Sequence, residues 1–185
     1  MKAHRAHATL PTSPMTRKIT RILALDPGTR ELGVAVFVNG SLVYASVESF
    51  GKLSSSARQI REVLSHVARL IRDFRPDVLA LERNYIGRNR SRALLKVLVA
   101  EIVSLGRQQS LMVVALATNT VREIVVGNGW ATKLEVARAI AARYPGLKAH
   151  LPPDRKWKRQ YRLNLFDAVA VGMAALVAEK QNRSP

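Results

Sequence analysis

Cysteine is absent from the 185-residue chain, which excludes a disulfide scaffold, a thiolate zinc site and a cysteine nucleophile. Histidine is scarce, with four residues too scattered to build an imidazole metal cluster. Acidic side chains are few: 13 Asp+Glu stand against 30 Lys+Arg, giving a net charge of +17. No apolar run reaches membrane-spanning length before a charge or a glycine breaks it. The start, from Met1 to Thr20, has no acid and no apolar segment of signal-peptide type. These absences favour a soluble protein of a reducing compartment. The Arg-rich start also fits an organellar transit peptide, although a disordered tail is the preferred reading and Met15 is an alternative starting residue.

What is present is a core and a positive field. Hydrophobic residues make up 48% of the chain, which rules out wholesale disorder, and the length suits a single domain. A domain this basic repels itself unless a polyanion is near. Nucleic acid is therefore the first partner to consider and an anionic membrane surface the second. The membrane is the poorer of the two, because the basic residues flank acids in loops instead of lining one amphipathic helix.

The chain changes character at Arg21. Residues Arg21 to Asp26 read as a buried strand ending in a carboxylate, followed by a turn at Pro27-Gly28-Thr29-Arg30. Two further β-rich runs, Leu32 to Val38 and Leu42 to Glu48, flank Asn39-Gly40, which predicts a type I′ hairpin. Ser54 to Phe74 has apolar residues at helical spacing and stops at Arg75-Pro76. Asp77 to Glu82 is a second buried strand ending in a carboxylate. A basic loop from Arg83 to Arg92, including Arg88 and Arg90, leads into an apolar helix from Ala93 to Leu105, either central or part of a subunit interface. Leu111 to Leu116 reads as a strand. A short helix capped by Asn119 or Thr120 follows and ends at Gly127-Asn128-Gly129. Thr132-Lys-Leu-Glu135 is a capping box opening a helix to about Tyr144. A basic loop, His150 to Arg162, precedes a closing apolar helix, Leu163 to Glu179. The expected organisation is a tail at 1–19, one domain at 20–180 and a short tail at 181–185. The order of elements predicts an α/β fold with a mixed sheet flanked by helices. Right-handed crossovers then bring the ends of the Asp26 and Glu82 strands to one sheet edge.

Three acids stand out. Asp26 and Glu82 end apolar strands, and Asp167 lies inside the apolar run Leu165 to Val171, one turn after Asn164. Such carboxylates are costly to desolvate without a cation and raise each other's pKa when close. Taken singly, Asp26 capping a turn, Glu82 pairing with Arg83 and Asp167 capping the last helix are all plausible. In a chain so poor in acids, the three together are better explained by a hard divalent cation, Mg²⁺ or Mn²⁺.

Four blocks, in order and spacing, resemble the RuvC family of Holliday-junction resolvases. They are Ile22-Leu-Ala-Leu-Asp26-Pro-Gly-Thr-Arg-Glu-Leu-Gly33, Leu79-Ala-Leu-Glu82-Arg-Asn-Tyr85, Val121 to Val136 with Gly127-Asn-Gly129 and Lys133, and Asp167-Ala-Val-Ala170. The resemblance runs from about Ile22 to Ala175. It implies a ribonuclease H-like fold with a five-stranded mixed sheet, and a dimeric endonuclease that resolves four-way DNA junctions in recombination and repair. It implies two Mg²⁺ ions (Mn²⁺ being possible) held by Asp26, Glu82 and Asp167, with products bearing a 5′-phosphate and a 3′-hydroxyl. Lys133 would stabilise phosphate charge, Arg122 would hold the DNA backbone and Tyr85 would stack on a base at the crossover. The plainer alternatives are a solvated first-turn lysine, a wet helix face for Arg122 and a packed ring for Tyr85. Arg83, Arg88, Arg90, Lys156, Lys158 and Arg159 are the further DNA contacts expected, against the alternative of a solvated surface. Family analogy adds a branch-migration motor as partner and a bacterial cytoplasmic setting.

The chain departs from the family in three places. Asn164 stands where the family usually has an aspartate; it can ligate a metal through its amide oxygen but brings no charge and no base. The helix after Glu82 lacks an expected glycine, and the loop from Lys156 to Arg162 is unusually basic. Rival functions are a branched-DNA nuclease of broader specificity, a non-catalytic junction-binding protein in which Asn164 marks decay of the metal site, and, least favoured, an actin-like nucleotide-binding protein suggested by Asp26-Pro-Gly-Thr.

Overall fold

The computed structural model describes residues 20–28, 30–51, 55–83, 90–151 and 159–183. Strands β1 (Arg21–Pro27), β2 (Glu31–Val38) and β3 (Ser41–Ser49) form an antiparallel meander, and α1 (Ser56–Phe74) leads to β4 (Val78–Arg83). Helix α2 (Arg90–Gln108) leads to β5 (Met112–Ala117), and α3 (Thr118–Val126), α4 (Lys133–Arg143) and α5 (Arg159–Arg183) complete the chain. The sheet order is β3-β2-β1-β4-β5. β1 pairs antiparallel with β2 and parallel with β4, and β4 pairs parallel with β5. The mixed five-stranded sheet is the one expected.

Local chemistry accounts for the joints. Asn39 (φ 51°) and Gly40 (φ 86°) both take positive φ between paired Val38 and Ser41, which matches the right-handed strand twist and closes the hairpin. Ser55 caps α1 by accepting from the Arg58 amide at 3.2 Å, and left-handed Arg75 ends the helix before Pro76. Three helices differ from expectation at their ends. α3 begins at Thr118 behind Ala117, which makes no side-chain cap, and not behind Asn119 or Thr120. α2 begins at Arg90 and α5 at Arg159, each earlier than its apolar pattern, and α5 continues to Arg183 through residues assigned to a tail. The residues at the starts of α2 and α5, Arg90-Ser91-Arg92 and Arg159 to Arg162, are mostly basic or polar in sequence, so hydrophobic periodicity does not mark them. A 3₁₀ turn over Pro145–His150 fills the stretch between α4 and the expected basic loop.

Alternation in the strands divides the interior in two. Ile22, Ala24, Ala35, Phe37, Val78 and Ala80 pack against α3, α4 and α5, while Leu23, Leu25, Val34, Val36, Leu79 and Leu81 pack against α1 and α2. α5 is buried nearly all round, with Phe166, Val169, Val171 and Ala174 wholly out of solvent. Each large apolar side chain so buried contributes about 1.5–3 kcal/mol. Its path over β2 is set by contact without intervening side chains: a Cβ at Gly33 would collide with the Asn164 carbonyl, and one at Gly172 with the Phe37 ring. This seat fixes where the polar residues of α5 meet the strand ends. No helix among the described residues is long and apolar enough to cross a membrane.

Candidate active site

Asp26 is the penultimate residue of β1 and Glu82 the penultimate residue of β4. The parallel register pairs Ile22 with Val78 and Leu25 with Leu81, and one step further sets Asp26 beside Glu82. By strand alternation both side chains share the face of Ala24 and Ala80, the face covered by α5. Asp167, on α5, comes down onto these strand ends. Glu82 and Asp167 are buried, and Asp26 is half-buried.

Two short helices supply the partners. Thr118, the first residue of α3, donates its hydroxyl to Glu82 Oε1. Lys133, the first residue of α4, donates its ammonium to Asp167 Oδ2. The capping box positions that lysine: Thr132 Oγ1 accepts from the Glu135 amide at 3.3 Å, and Glu135 accepts from the Thr132 amide at 2.6 Å. The amide and the hydroxyl of Thr132 both donate to the Glu135 carboxylate and hold it below the usual carboxylate range. A cationic side chain on the first turn is disfavoured by the helix dipole, and the contact with Asp167 offsets that cost. Glu82, Thr118, Arg122, Lys133 and Asp167 line one cleft, floored by Val121, Val136 and Ala170.

The electrostatics of the cleft are unbalanced. Desolvation, then the charges of Asp167 and Glu82, push Asp26 up to about 8 despite the opposing pull of Lys133. Desolvation also raises Asp167, outweighing its contacts with Lys133 and the charge of Arg122. Burial alone would lower Lys133, but Asp167, Asp26 and Glu82 together raise it. Three carboxylates thus share one bonded ammonium and hold further positive charge when it is offered, here a proton on Asp26. Hard oxygen donors with excess negative charge fit a divalent cation such as Mg²⁺. The acids are neighbours and not a finished cage: among the described residues no three acidic or imidazole side chains already stand placed to hold one ion.

Five of the residues singled out in the sequence therefore gather: Asp26, Glu82, Asp167, Lys133 and Arg122. Glu82 accepts from Thr118, and Asp167 sits well inside α5 instead of capping it. Asn164 does not line the cleft. Its Nδ2 donates to Glu31 Oε2 at 2.8 Å, at the start of β2; burial raises that carboxyl group above its ordinary range. Arg83 is exposed at the end of β4. Arg90 and Arg159 begin α2 and α5, with side chains outside the described set, and Tyr85, Arg88, Lys156 and Lys158 lie outside the described residues altogether. Sequence reasoning missed Thr118 and Glu31. Thr118 follows β5 directly, and the rule that ligand crevices form beyond the carboxyl ends of parallel strands points to it; Glu31 carried no such signal.

A mixed sheet in this order, with acids from β1, β4 and the final helix at one edge, places the protein in the ribonuclease H-like class of folds. Comparison with known proteins is specific. The family profile described as crossover junction endodeoxyribonuclease RuvC matches residues 22–154. The enzyme of that name from Maricaulis maris is 31% identical over 134 residues, covering 70% of this chain and 81% of the relative. The Akkermansia muciniphila enzyme is 30% identical over 162 residues, covering 84% and 90%. Among solved structures, Thermus thermophilus RuvC superposes with a TM-score of 0.69 at 20% identity, covering 88% of this chain and 97% of that one. The yeast mitochondrial Holliday junction resolvase Ydc2 gives a TM-score of 0.61 at 11% identity, covering 88% and 82%; both share the fold. The chain belongs to the RuvC family of crossover junction endodeoxyribonucleases.

Proposed function

We propose that this chain resolves four-way DNA junctions by metal-dependent phosphodiester hydrolysis, acting as a homodimer with one cleft per cut strand. The observation that carries the reading is the meeting of Asp26, Glu82 and Asp167, from three distant parts of the chain, beside Lys133 in a molecule of net charge +17. Those three acids would hold Mg²⁺, with Mn²⁺ as the substitute. When bound, such ions supply an activated water and offset charge at the leaving oxygen.

The chain's own groups do the rest. Thr118 holds the Glu82 carboxylate in one orientation. Lys133, poised against Asp167, is within reach of a phosphate entering the cleft and stabilises charge that develops there. Arg122, on the cleft wall, holds the DNA backbone in register. Arg88, Lys156 and Lys158, outside the described residues, would add backbone contacts, and Tyr85 would stack on a base. The Thermus thermophilus relative has been solved in complex with Holliday junction substrate, which supports the same substrate for this chain. A four-way junction presents equivalent strands related by a two-fold axis, and a two-fold enzyme meets both at once. Helix α2 supports that assembly: Val97 is 49% exposed on its outer face, flanked by exposed Ala93 and Ala100.

The test is incubation of the chain with a synthetic four-way junction, a fork and a linear duplex, with and without Mg²⁺. The expected result is paired symmetric cuts in the junction, dependent on Mg²⁺ and lost in Asp26→Asn and Asp167→Asn. Equal cutting of fork and junction would favour the broader branched-DNA nuclease. Junction binding with no nicks under any metal would leave only a binding protein.

A further inference from the structure

The chain holds two tryptophans, Trp130 and Trp157, and Trp130 leaves 91% of its surface in solvent. A tryptophan is highly buried on average, so its support decides whether this exposure is incidental. The backbone beneath the ring is pinned on both sides. Asn128 Oδ1 accepts from the Trp130 amide at 2.9 Å and Glu123 Oε2 from the Gly129 amide at 2.6 Å. The Ala131 amide donates to the Asn128 carbonyl at 3.1 Å, and Ala131 itself is buried. The loop is thus anchored while its one large apolar side chain stands outside.

Its location is equally specific. Helix α3 is a partition: Thr118, Val121 and Arg122 line the acidic cleft on one side, and Asn119, Thr120 and Glu123 line a hollow shared with Trp130 on the other. Trp130 precedes Lys133 by three residues, a span of at most roughly 11 Å of chain. One strand of B-form DNA advances about 3.4 Å per nucleotide, so the ring stands within a few nucleotides of any phosphate that Lys133 holds.

We infer that Trp130 is a stacking platform for an unpaired nucleobase of the strand being cut, one to three nucleotides from the scissile phosphate. This deepens the proposed function and rests on it. Every base has a π-face, so a fixed aromatic ring beside a cationic cleft grips unstacked bases with little sequence preference. Trp130 is distinct in sequence from Tyr85, which lies outside the described residues. It selects for DNA whose bases are already unpaired at the cleft, which a crossover offers and a linear duplex does not.

The test measures junction binding in EDTA, where no cutting occurs, with Trp130→Ala, Trp130→Phe and the parent chain. Each is titrated with an intact junction, a linear duplex, and junctions bearing an abasic site one, two or three nucleotides from the cleavage point. Trp130→Ala is expected to weaken junction binding by roughly fivefold to a hundredfold, leaving duplex binding unchanged, while Trp130→Phe retains most of the affinity. At one abasic position the parent and Trp130→Ala should bind alike, because the stacking partner is gone. In a Trp157→Phe background, where Trp130 is the remaining tryptophan, its emission should be quenched by the intact junction and not by that abasic one. The inference is overturned if Trp130→Ala binds the intact junction as the parent does, or if its loss persists unchanged at every abasic position. A parent chain that does not prefer junction over duplex would instead bring down the proposed function itself. The exposed ring leaves folding intact on substitution, which a thermal melt of each variant checks.

Discussion

Asp26 keeps its proton to about 8, against an ordinary 3.8, and this has a consequence for the metal-free protein. A carboxyl group whose folded pKa lies above its unfolded one binds more protons when folded. Its contribution to stability is full below about pH 4, declines as pH rises, and is gone above about pH 8. In EDTA, the melting temperature of the parent should therefore fall between those limits relative to that of Asp26→Asn, and the variant should be the more stable chain at pH 8. Parallel pH profiles for the two would refute the strained-site argument. Mg²⁺ should narrow the difference at pH 8 by stabilising the parent selectively. Asn164 leads to a second prediction. Restoring the family's aspartate reads from sequence as a gain of charge and rate, but in the structure the side chain donates to Glu31, so Asn164→Asp opposes two carboxylates. Loss of a hydrogen bond to a charged group costs about 1.5–3 kcal/mol, and the single variant should lose stability on that scale. Glu31→Gln with Asn164→Asp should recover most of it, because the amide and the carboxylate merely exchange places. A double-mutant cycle by denaturant titration measures the coupling, and additive losses would contradict it. The three acids were legible in the sequence because carboxylates inside apolar segments demand a counter-charge. Glu31 was not, since polar residues beside turns are common and its partner lies far away in the chain; Thr118 was signalled only by its place at the carboxyl end of β5.

The helices that complete the cleft are each held by a small number of local features. Lys133 depends on the capping box of α4, and Thr132→Ala removes the acceptor for the Glu135 amide and one partner of the Glu135 carboxylate. Loss of such a cap costs about 1 kcal/mol, readable as a lower denaturant midpoint with unchanged slope. Junction cutting should fall as well, because the first turn of α4 carries the lysine. α5 depends on its bare contact with β2. Gly33→Ala drives a methyl group into the Asn164 carbonyl, a backbone atom that yields only if the helix moves, so the expected cost is about 1–3 kcal/mol. Gly172→Ala meets the edge of the Phe37 ring instead, which can turn, and it regains about 1 kcal/mol of helix propensity; it should be the milder of the two. Equal effects would mean that α5 is not rigidly seated. At this scale the sequence was readable where pattern and punctuation coincide, as in β1, the Asn39-Gly40 hairpin, α1 and the Thr132 box. The starts of α2 and α5 were not, because their first turns are basic and carry no apolar face to count.

For the molecule as a whole, the charge of +17 and the two-fold logic of the substrate meet in one expectation. Positive charge makes binding to any DNA tight and salt-dependent, with each phosphate contact contributing about 0.9 to the slope of log affinity against log salt. Arg122→Ala should lower that slope by about one contact on junction and duplex alike, since backbone contacts position the strand without reading it. Charge by itself therefore does not ensure that both strands are cut within one encounter; a two-fold assembly would. If α2 joins two copies through Val97, which is 49% exposed, then Val97→Asp places two carboxylates against each other across the axis while leaving the cleft and the strand ends untouched. Sedimentation should show the parent as a dimer and the variant as a monomer of unchanged melting temperature. On a supercoiled plasmid extruding a cruciform, the parent should yield linear product directly. The variant should accumulate nicked circles first, because extrusion collapses once a single nick releases the supercoiling and the second strand is no longer presented. A monomeric parent, or a variant that still produces linear DNA without a nicked intermediate, would show that paired cutting does not come from this face.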